Sequence, residues 1–560
     1  MPVVTIKSGD GDRYAEFSAG LSLRDILDSS SFRVRSGCRG TGACGLCRVK
    51  IVTSEPIEPS LAERLYLSEQ QIASGIRLAC QVRPERDVEV TVLNKEPVSA
   101  WRAIRNTSGD FSRIPSNRFP EGRYFGVAVD LGTTHISASF YDLSTGKWFA
   151  GRHGLNPQVS WGADVLTRLI AYDESPEAAG TLRGMLVDAI GSVLLDVAAR
   201  EGIGLEQVAG LTFVGNTAML AMISGKNAHL LLQPSYWMKP IECTPDDIHD
   251  LTALWGIRSG AVVEMVQPLA GFVGSDLLAG VISTKLVEKG PGTLLIDFGT
   301  NSEIALWDGG TLWVTSAAGG PAFEGSGMNC GIPGEPGAIF QVCESGNGAT
   351  EGDRAFLTSK DVIFRSRPAG LDLEFRTIDN EKPLGFCGSG IVDLIALLVR
   401  SGKLTGIGRL SSDIPGDGIF VLDGEQKPLV LTKKDVDIFQ RAKAAIYAGV
   451  KVLMESSGLA DKHLSRICIG GAFGHFLDRE NAMEIGLLPE LPPESIELAG
   501  NIALRGCEEL LMSEDPGKRL DELKSKARLV NLARCAGFEE LFMEGLYLRR
   551  WSHAARGGAD

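Results

Sequence analysis

The 560-residue chain is poor in several features that would place it quickly, and each shortage excludes something. It has no long basic run, and acidic residues outnumber basic ones 70 to 56, for a formal net charge of −14. A nucleic-acid partner is therefore not expected. It has no uninterrupted apolar stretch of spanning length: the best candidate, Pro268 to Ile282, is broken by Asp276, Gly271, Gly274 and Gly280. A membrane partner is not expected either. There is no Walker loop, no Rossmann G-x-G-x-x-G and no recognisable Ser/His/Asp arrangement, which removes the commonest phosphate-binding and nucleophilic designs. The opening Met1-Pro-Val-Val-Thr-Ile reads as a strand, without the basic region and apolar stretch of a signal peptide. Reduced or metal-bound thiols in the cytoplasm are the expectation, in a chain long enough for about three domains.

What the chain does have begins with a glycine-rich cysteine loop. Ser36 to Cys47 places Cys38, Cys44 and Cys47 in a C-x5-C-x2-C pattern, and Cys80 follows in Arg77-Leu-Ala-Cys-Gln. The spacing is one residue longer than the plant-type C-x4-C-x2-C with a distant fourth ligand. Glycines 37, 40, 42 and 45 let the backbone wrap a compact object with its amides turned inward. This favours a 2Fe-2S cluster on Cys38, Cys44, Cys47 and Cys80. Zinc is the alternative, though it usually shows paired C-x2-C motifs without a glycine wrap. The other cysteines (243, 330, 343, 387, 468, 507, 535) are scattered, mostly in apolar runs, and read as core. Around the loop, strands are expected at Val3–Lys7, Tyr14–Phe17, Arg48–Val52 and Asp87–Leu93, with helices near Ser22–Leu27 and Leu67–Ile72. That is a β-grasp ferredoxin plan.

From Asn94 to about Arg123 the composition turns to Pro, Ser, Asn and Arg. As a flexible coil of about 30 residues it would span roughly 30 Å, letting the cluster domain move. Trp101 and Phe111 are the residues that could instead anchor it.

An internal repeat follows. Phe125-Gly-Val-Ala-Val-Asp-Leu-Gly-Thr-Thr-His-Ile-Ser-Ala-Ser-Phe-Tyr-Asp matches Gly292-Thr-Leu-Leu-Ile-Asp-Phe-Gly-Thr-Asn-Ser-Glu-Ile-Ala-Leu-Trp-Asp. Each copy reads as a strand, a D-x-G-T turn and a second strand. Such a turn offers amides and a hydroxyl to an anion, while its aspartate can hold a divalent cation through water. The first copy supplies Asp130, Gly132, Thr133 and Thr134; the second supplies Asp297, Gly299, Thr300 and Asn301, with Glu303 placed to orient water or metal. Two such turns suggest a triphosphate and Mg²⁺ clamped between two α/β lobes. Gly470, Gly471, Ala472 and Phe473 form a strand-ending turn where bare backbone can lie against a purine. Asn216, Thr217 and Ser389 occupy polar turns that either reach the nucleotide or serve only the turn. His135 reads as packing, and His475 carries no assignment.

With these residues in view, the paired turns and Gly470-Gly-Ala-Phe-Gly resemble the acetate kinase, sugar kinase, heat-shock chaperone and actin superfamily. Behind a C-x5-C-x2-C ferredoxin domain, they resemble the reductive activators of corrinoid proteins. Thr315 to Gly325, Met328 to Gly331, Pro336 to Ile339 and Val214 to Met219 are similar to that family's blocks. The resemblance implies a fold of mixed class: a β-grasp 2Fe-2S ferredoxin domain (1–93, α+β), a linker (94–122), and two duplicated ribonuclease-H-like lobes (123–290 and 291–560, α/β) of an actin-like ATPase. It implies one-electron reduction of Co(II) to Co(I) in a cobalamin protein, dependent on ATP. The cluster would sit on Cys38, Cys44, Cys47 and Cys80; Mg²⁺ on Asp130 and Asp297; and ATP on the turn residues, with Asp130, Asp297 and Glu303 catalytic. Implied partners are an upstream electron donor and a corrinoid methyltransferase component or methionine synthase, and the resemblance leaves room for a homodimer. Two departures stand out. An extra domain carried by many members between linker and lobes is expected to be missing, and the C-terminus offers only Cys535, so one 2Fe-2S cluster is the limit. A small-molecule kinase and a nucleotide-sensing electron carrier are the competing readings.

Overall fold

The computed structural model describes the chain except for residues 1, 8–11, 18–19, 29–33, 35–39, 41, 54–56, 94–100, 105–108, 112–117, 320, 325–326, 346–362, 379–380, 415, 417, 425–426, 472, 474–475 and 552–560. The chain forms two compact units: Met1–Arg102 with Gly154–Ala189, and Ala103–His153 with Ile190–Asp560. Among the described residues no helix is long and apolar enough to cross a membrane.

In the first unit the strands lie in the order Arg13–Glu16, Val3–Lys7, Val88–Val92, Arg48–Val52, Ile76–Leu78. Val3–Lys7 is parallel to Val88–Val92 and antiparallel to Arg13–Glu16. Alternation with period two turns Val4, Ile6, Val49, Ile51, Val88 and Val90 to one face, where Leu23, Ile26 and Leu27 of the helix Leu23–Asp28 cover them. This is the expected β-grasp plan. Two elements were missed: the strand Ile76–Leu78, and the helix Leu61–Tyr66, started by a capping box in which Ser60 and Glu63 satisfy each other's backbone N–H groups. Glu63 also accepts from the Leu78 N–H, tying this helix to the strand before Cys80.

The stretch after Val92 does not behave as a free coil where it is described. Trp101 is buried, its ring facing Gly154. In the second unit Ile104 donates to the Gly151 carbonyl and Phe111 to that of Gly146. Arg118 donates to the carbonyls of Leu510, Leu511 and Ser513 at 3.1, 2.9 and 2.6 Å, and pairs with Glu264. Of the two expectations, the described residues fit the anchored one at Trp101 and Phe111, and Arg118 adds a contact with the orphan carbonyls of a helix end.

The second unit contains two sheets of matching topology. One places Val262–Met265, Val208–Gly215, Phe125–Leu131, His135–Asp142 and Lys147–Leu155 side by side; the other places Ile496–Gly500, Arg466–Gly471, Thr293–Phe298, Ser302–Trp307 and Leu312–Ala317 in the equivalent order, and each ends on a short sixth strand, Arg102–Ala103 and Ala527–Leu529. In both, the first strand in sequence pairs antiparallel with the next and parallel with the fourth. The repeat in sequence is thus a repeat of fold, two ribonuclease-H-like lobes. Strands buried on both faces, such as Phe125–Leu131, read as continuous apolar runs because helices cover each side. The helices Ser275–Ser283 and Ile502–Leu511 share one apolar cluster with both sheets through Leu278, Ile282, Ala503, Leu504 and Leu295.

Candidate functional site

The two hairpins differ by one residue, which their shared D-x-G-T turn conceals. Leu131 pairs with Ile136, leaving a four-residue turn of Gly132 to His135, whereas Phe298 pairs with Ser302, leaving Gly299 to Asn301. In consequence Asp130 stands opposite Ser137, and Asp297 stands opposite Glu303. The turns face each other, and the Thr134 and Thr300 hydroxyls lie 2.9 Å apart. A clamp of two opposed hydroxyl-bearing turns is the geometry expected for a polyphosphate.

Gly470 and Gly471 lie alongside Asp297 and Phe298 in register. Gly471 adopts φ +78°, and a Cβ there would be driven into the Phe298 carbonyl oxygen, so only glycine fits. Ala472 and His475 fall outside the described residues. Phe473 is corrected as a nucleotide contact: it is buried in an aromatic cluster, 4.9 Å from Phe298 and 5.2 Å from Phe323 between ring centroids. The three uncertain polar residues serve local structure. Asn216 caps the helix Thr217–Ser224 by accepting from the Ala218 N–H, Thr217 donates to the Ala270 carbonyl, and Ser389 donates to that of Phe340. His135 stacks on His153 at 4.5 Å and approaches Glu335 at 3.9 Å, as packing rather than chemistry.

Two site residues were missed. Asn501 caps the helix Ile502–Leu511 through its Oδ1 and donates through Nδ2 to the Asp130 carboxylate at 2.9 Å. A cap signature stood in Gly500-Asn501, but nothing local pointed 371 residues back. Asp276, the single acid in the apolar stretch Pro268–Ile282, begins the helix Ser275–Ser283 within electrostatic reach of both Asp130 and Glu303.

Asp130, Asp276, Asp297 and Glu303 therefore form a crowded acidic centre. Burial raises the Asp130 carboxyl to about 7, opposed by the Asn501 hydrogen bond and increased by Asp276. Burial also raises Asp276, opposed by the Leu277 N–H. Glu303 is held well above the carboxylate range by burial and then by the charges of Asp276 and Asp297. Like charges held together out of water favour a cation. Among the described residues no three such side chains enclose a single ion. Magnesium does not require that, because it keeps waters and takes one or two carboxylates plus phosphate oxygens.

In the first unit Cys47 and Cys80 are buried and Cys44 is half-buried, while Cys38 lies outside the described residues. Ala79 donates to the Cys47 carbonyl, fixing the neighbourhood of Cys80 to that of Cys47. The loop is walled by the helix Leu61–Tyr66: a Cβ on Gly42 would stand 2.7 Å from that of Ala62, and one on Gly45 would stand 2.6 Å from the Tyr66 ring. Arg48 donates to the Gly45 carbonyl at 3.0 Å. A two-iron cluster spreads its thiolates over two metals, so such a bare-backbone cradle fits it better than a single-ion cage.

A cluster loop on a β-grasp sheet, joined to a two-lobed phosphate clamp, defines a redox protein that uses ATP. Comparison with known proteins agrees. Residues 7–85 match the 2Fe-2S iron-sulfur cluster binding domain, 125–289 the RACo middle region, and 292–555 the C-terminal domain of RACo, the ASKHA domain. The chain is 30% identical over 461 residues to the corrinoid activation enzyme RamQ of Eubacterium limosum, covering 77% of this chain and 71% of that one. It is 25% identical over 423 residues to a [Co(II) methylated amine-specific corrinoid protein] reductase of Methanosarcina barkeri, covering 72% and 73%. A solved reductive activator for corrinoid,iron-sulfur protein superposes with TM-score 0.65 over 98% of each chain at 24% identity. The chain belongs to the RACo family of reductive activators of corrinoid proteins. The expected loss of an intervening domain is corrected: the stretch from 125 to 289 is itself the middle region.

Proposed function

We propose that this protein returns an accidentally oxidised cobalamin partner protein from Co(II) to Co(I), accepting single electrons from an upstream donor and hydrolysing ATP. The observation that carries this reading is the union of a cluster loop and a two-lobed nucleotide clamp in one chain of this family. The 2Fe-2S cluster, when bound by Cys38, Cys44, Cys47 and Cys80, supplies one-electron chemistry. Gly132, Thr133 and Thr134 from one lobe and Gly299, Thr300 and Asn301 from the other hold the phosphates, and Gly470 and Gly471 leave room for the purine. Asp130 and Asp297 would hold Mg²⁺ to offset the phosphate charge, with Asn501 orienting Asp130. Asp276 and Glu303 position the attacking water, and Asp276 takes its proton.

Delivering an electron to make Co(I) is uphill from a centre near −400 mV. ATP can assist only by binding differently to two states of the complex. Closure of the two turns on nucleotide, in place of the direct Thr134 to Thr300 contact, is the change that would select the Co(II) form of the partner. The partner is a corrinoid methyltransferase component or a methionine synthase, met in the cytoplasm.

The test mixes reduced protein, Mg-ATP and candidate corrinoid proteins and follows Co(II) to Co(I) by absorption. Conversion that requires ATP is expected with at least one client. No conversion with any client refutes the assignment, and equal conversion without ATP reduces the protein to an electron carrier.

A further inference from the structure

We propose that Gln81 sets the potential at which the cluster accepts its electron, by hydrogen-bonding the Cys80 sulfur. The proposal rests on the reading of Cys80 as a cluster ligand. The Gln81 amide nitrogen lies 3.4 Å from the Cys80 Sγ and 3.1 Å from the Gly40 carbonyl oxygen. Both neighbours are acceptors, so the NH₂ end of the amide, not its oxygen, must face them. The Gly40 bond fixes the amide plane, and the second N–H is left to the sulfur.

The surroundings hold this arrangement in place. Gln81 ends the single helical turn Ala79–Gln81, which is fixed to the cluster strand by the Ala79 to Cys47 backbone bond. On the other side, Gly42 admits the amide: a Cβ there would stand 2.9 Å from the Gln81 nitrogen. Gln81 thus acts through Cys80 as a positioning residue.

Reduction adds one negative charge to the cluster and its thiolates. A hydrogen bond to a thiolate sulfur stabilises the more negative state more strongly, and therefore raises the potential. Gln81 eases loading of the cluster by the donor and leaves a correspondingly larger uphill step for the ATP-dependent transfer.

The test is a redox titration of the full-length protein, followed by the electron paramagnetic resonance signal of the reduced cluster, with Gln81→Met and Gln81→Glu. Gln81→Met removes the donor, while Gln81→Glu keeps the shape and adds negative charge. At the wild-type midpoint, the ratio of reduced to oxidised cluster is expected to fall about threefold in Gln81→Met and about tenfold in Gln81→Glu, the latter about 59 mV for a one-electron couple. Intact clusters with the wild-type midpoint in both variants overturn this proposal while leaving the cluster assignment standing. Loss of the cluster from both overturns it too, by giving Gln81 a purely structural role. A wild-type protein that never shows a 2Fe-2S signal refutes the cluster assignment itself.

Discussion

At the scale of single residues, the informative positions are acids and a lysine that burial holds away from their ordinary charge. Asp276 reaches the acidic centre from the start of its helix, and the proton-accepting role proposed for it is separable from nucleotide binding. Asp276→Asn should lower steady-state ATP hydrolysis by about 10²- to 10⁴-fold while ADP affinity, measured by calorimetry, stays close to wild type. Because burial beside Asp276 and Asp297 holds the folded-state pKa of Glu303 well above its unfolded value, folding at neutral pH costs the uptake of a proton; Glu303→Gln removes that cost and should raise the melting temperature of nucleotide-free protein at neutral pH. It should also shrink the further increase that Mg-ADP brings. Lys443, buried on the helix Lys433–Ser457, donates to the Gly486 and Tyr547 carbonyls; burial first, then Arg549, lowers its pKa to about 7. Between about pH 7 and 10.5 the unfolded chain binds this proton and the native one does not, so the contribution to stability rises with pH across that window. Denaturant midpoints at pH 7, 8.5 and 10 should show this rise in wild type, and a correspondingly flatter profile in Lys443→Met.

At the scale of elements, a turn or helix end is specified by what it meets. Gly471→Ala would place a methyl group against the Phe298 carbonyl with φ fixed at +78°. The expected result is a folded second lobe that has lost ADP binding, read by calorimetry beside circular dichroism. Arg118 satisfies the last carbonyls of the helix Ile502–Leu511, whose other end is Asn501 at the acidic centre. Arg118→Met should cost about 1.5–3 kcal/mol and expose the preceding segment to limited proteolysis, seen as faster cleavage within 103–123. Arg118 and the acidic centre thus share one helix, a connection invisible in the composition of either segment.

At the scale of the molecule, the cysteines proposed for the cluster and the turns proposed for the phosphates lie in different compact units, each with its own apolar core. Cys80→Ser should therefore abolish the cluster's absorption while leaving ATP hydrolysis intact, and Asp276→Asn should do the reverse. Much of this organisation was legible in the chain. Cysteine spacing, period-two alternation and duplicated D-x-G-T turns are local patterns, and local patterns report on neighbouring backbone geometry. Asp130, Asp297 and the cysteines could be proposed as site residues for that reason. Asn501 meeting Asp130, Asp276 meeting Glu303, and Gln81 turning toward Cys80 depend on tertiary placement. Phe473 shows the opposite error, a residue in a recognisable motif that the fold uses as core. The sequence by itself determined which elements form and which chemistry each turn can offer, because propensity, patterning and turn geometry act over a few residues. Only the tertiary structure decided which acids converge and which polar groups orient them, because burial and charge interaction depend on distances in space between residues hundreds of positions apart.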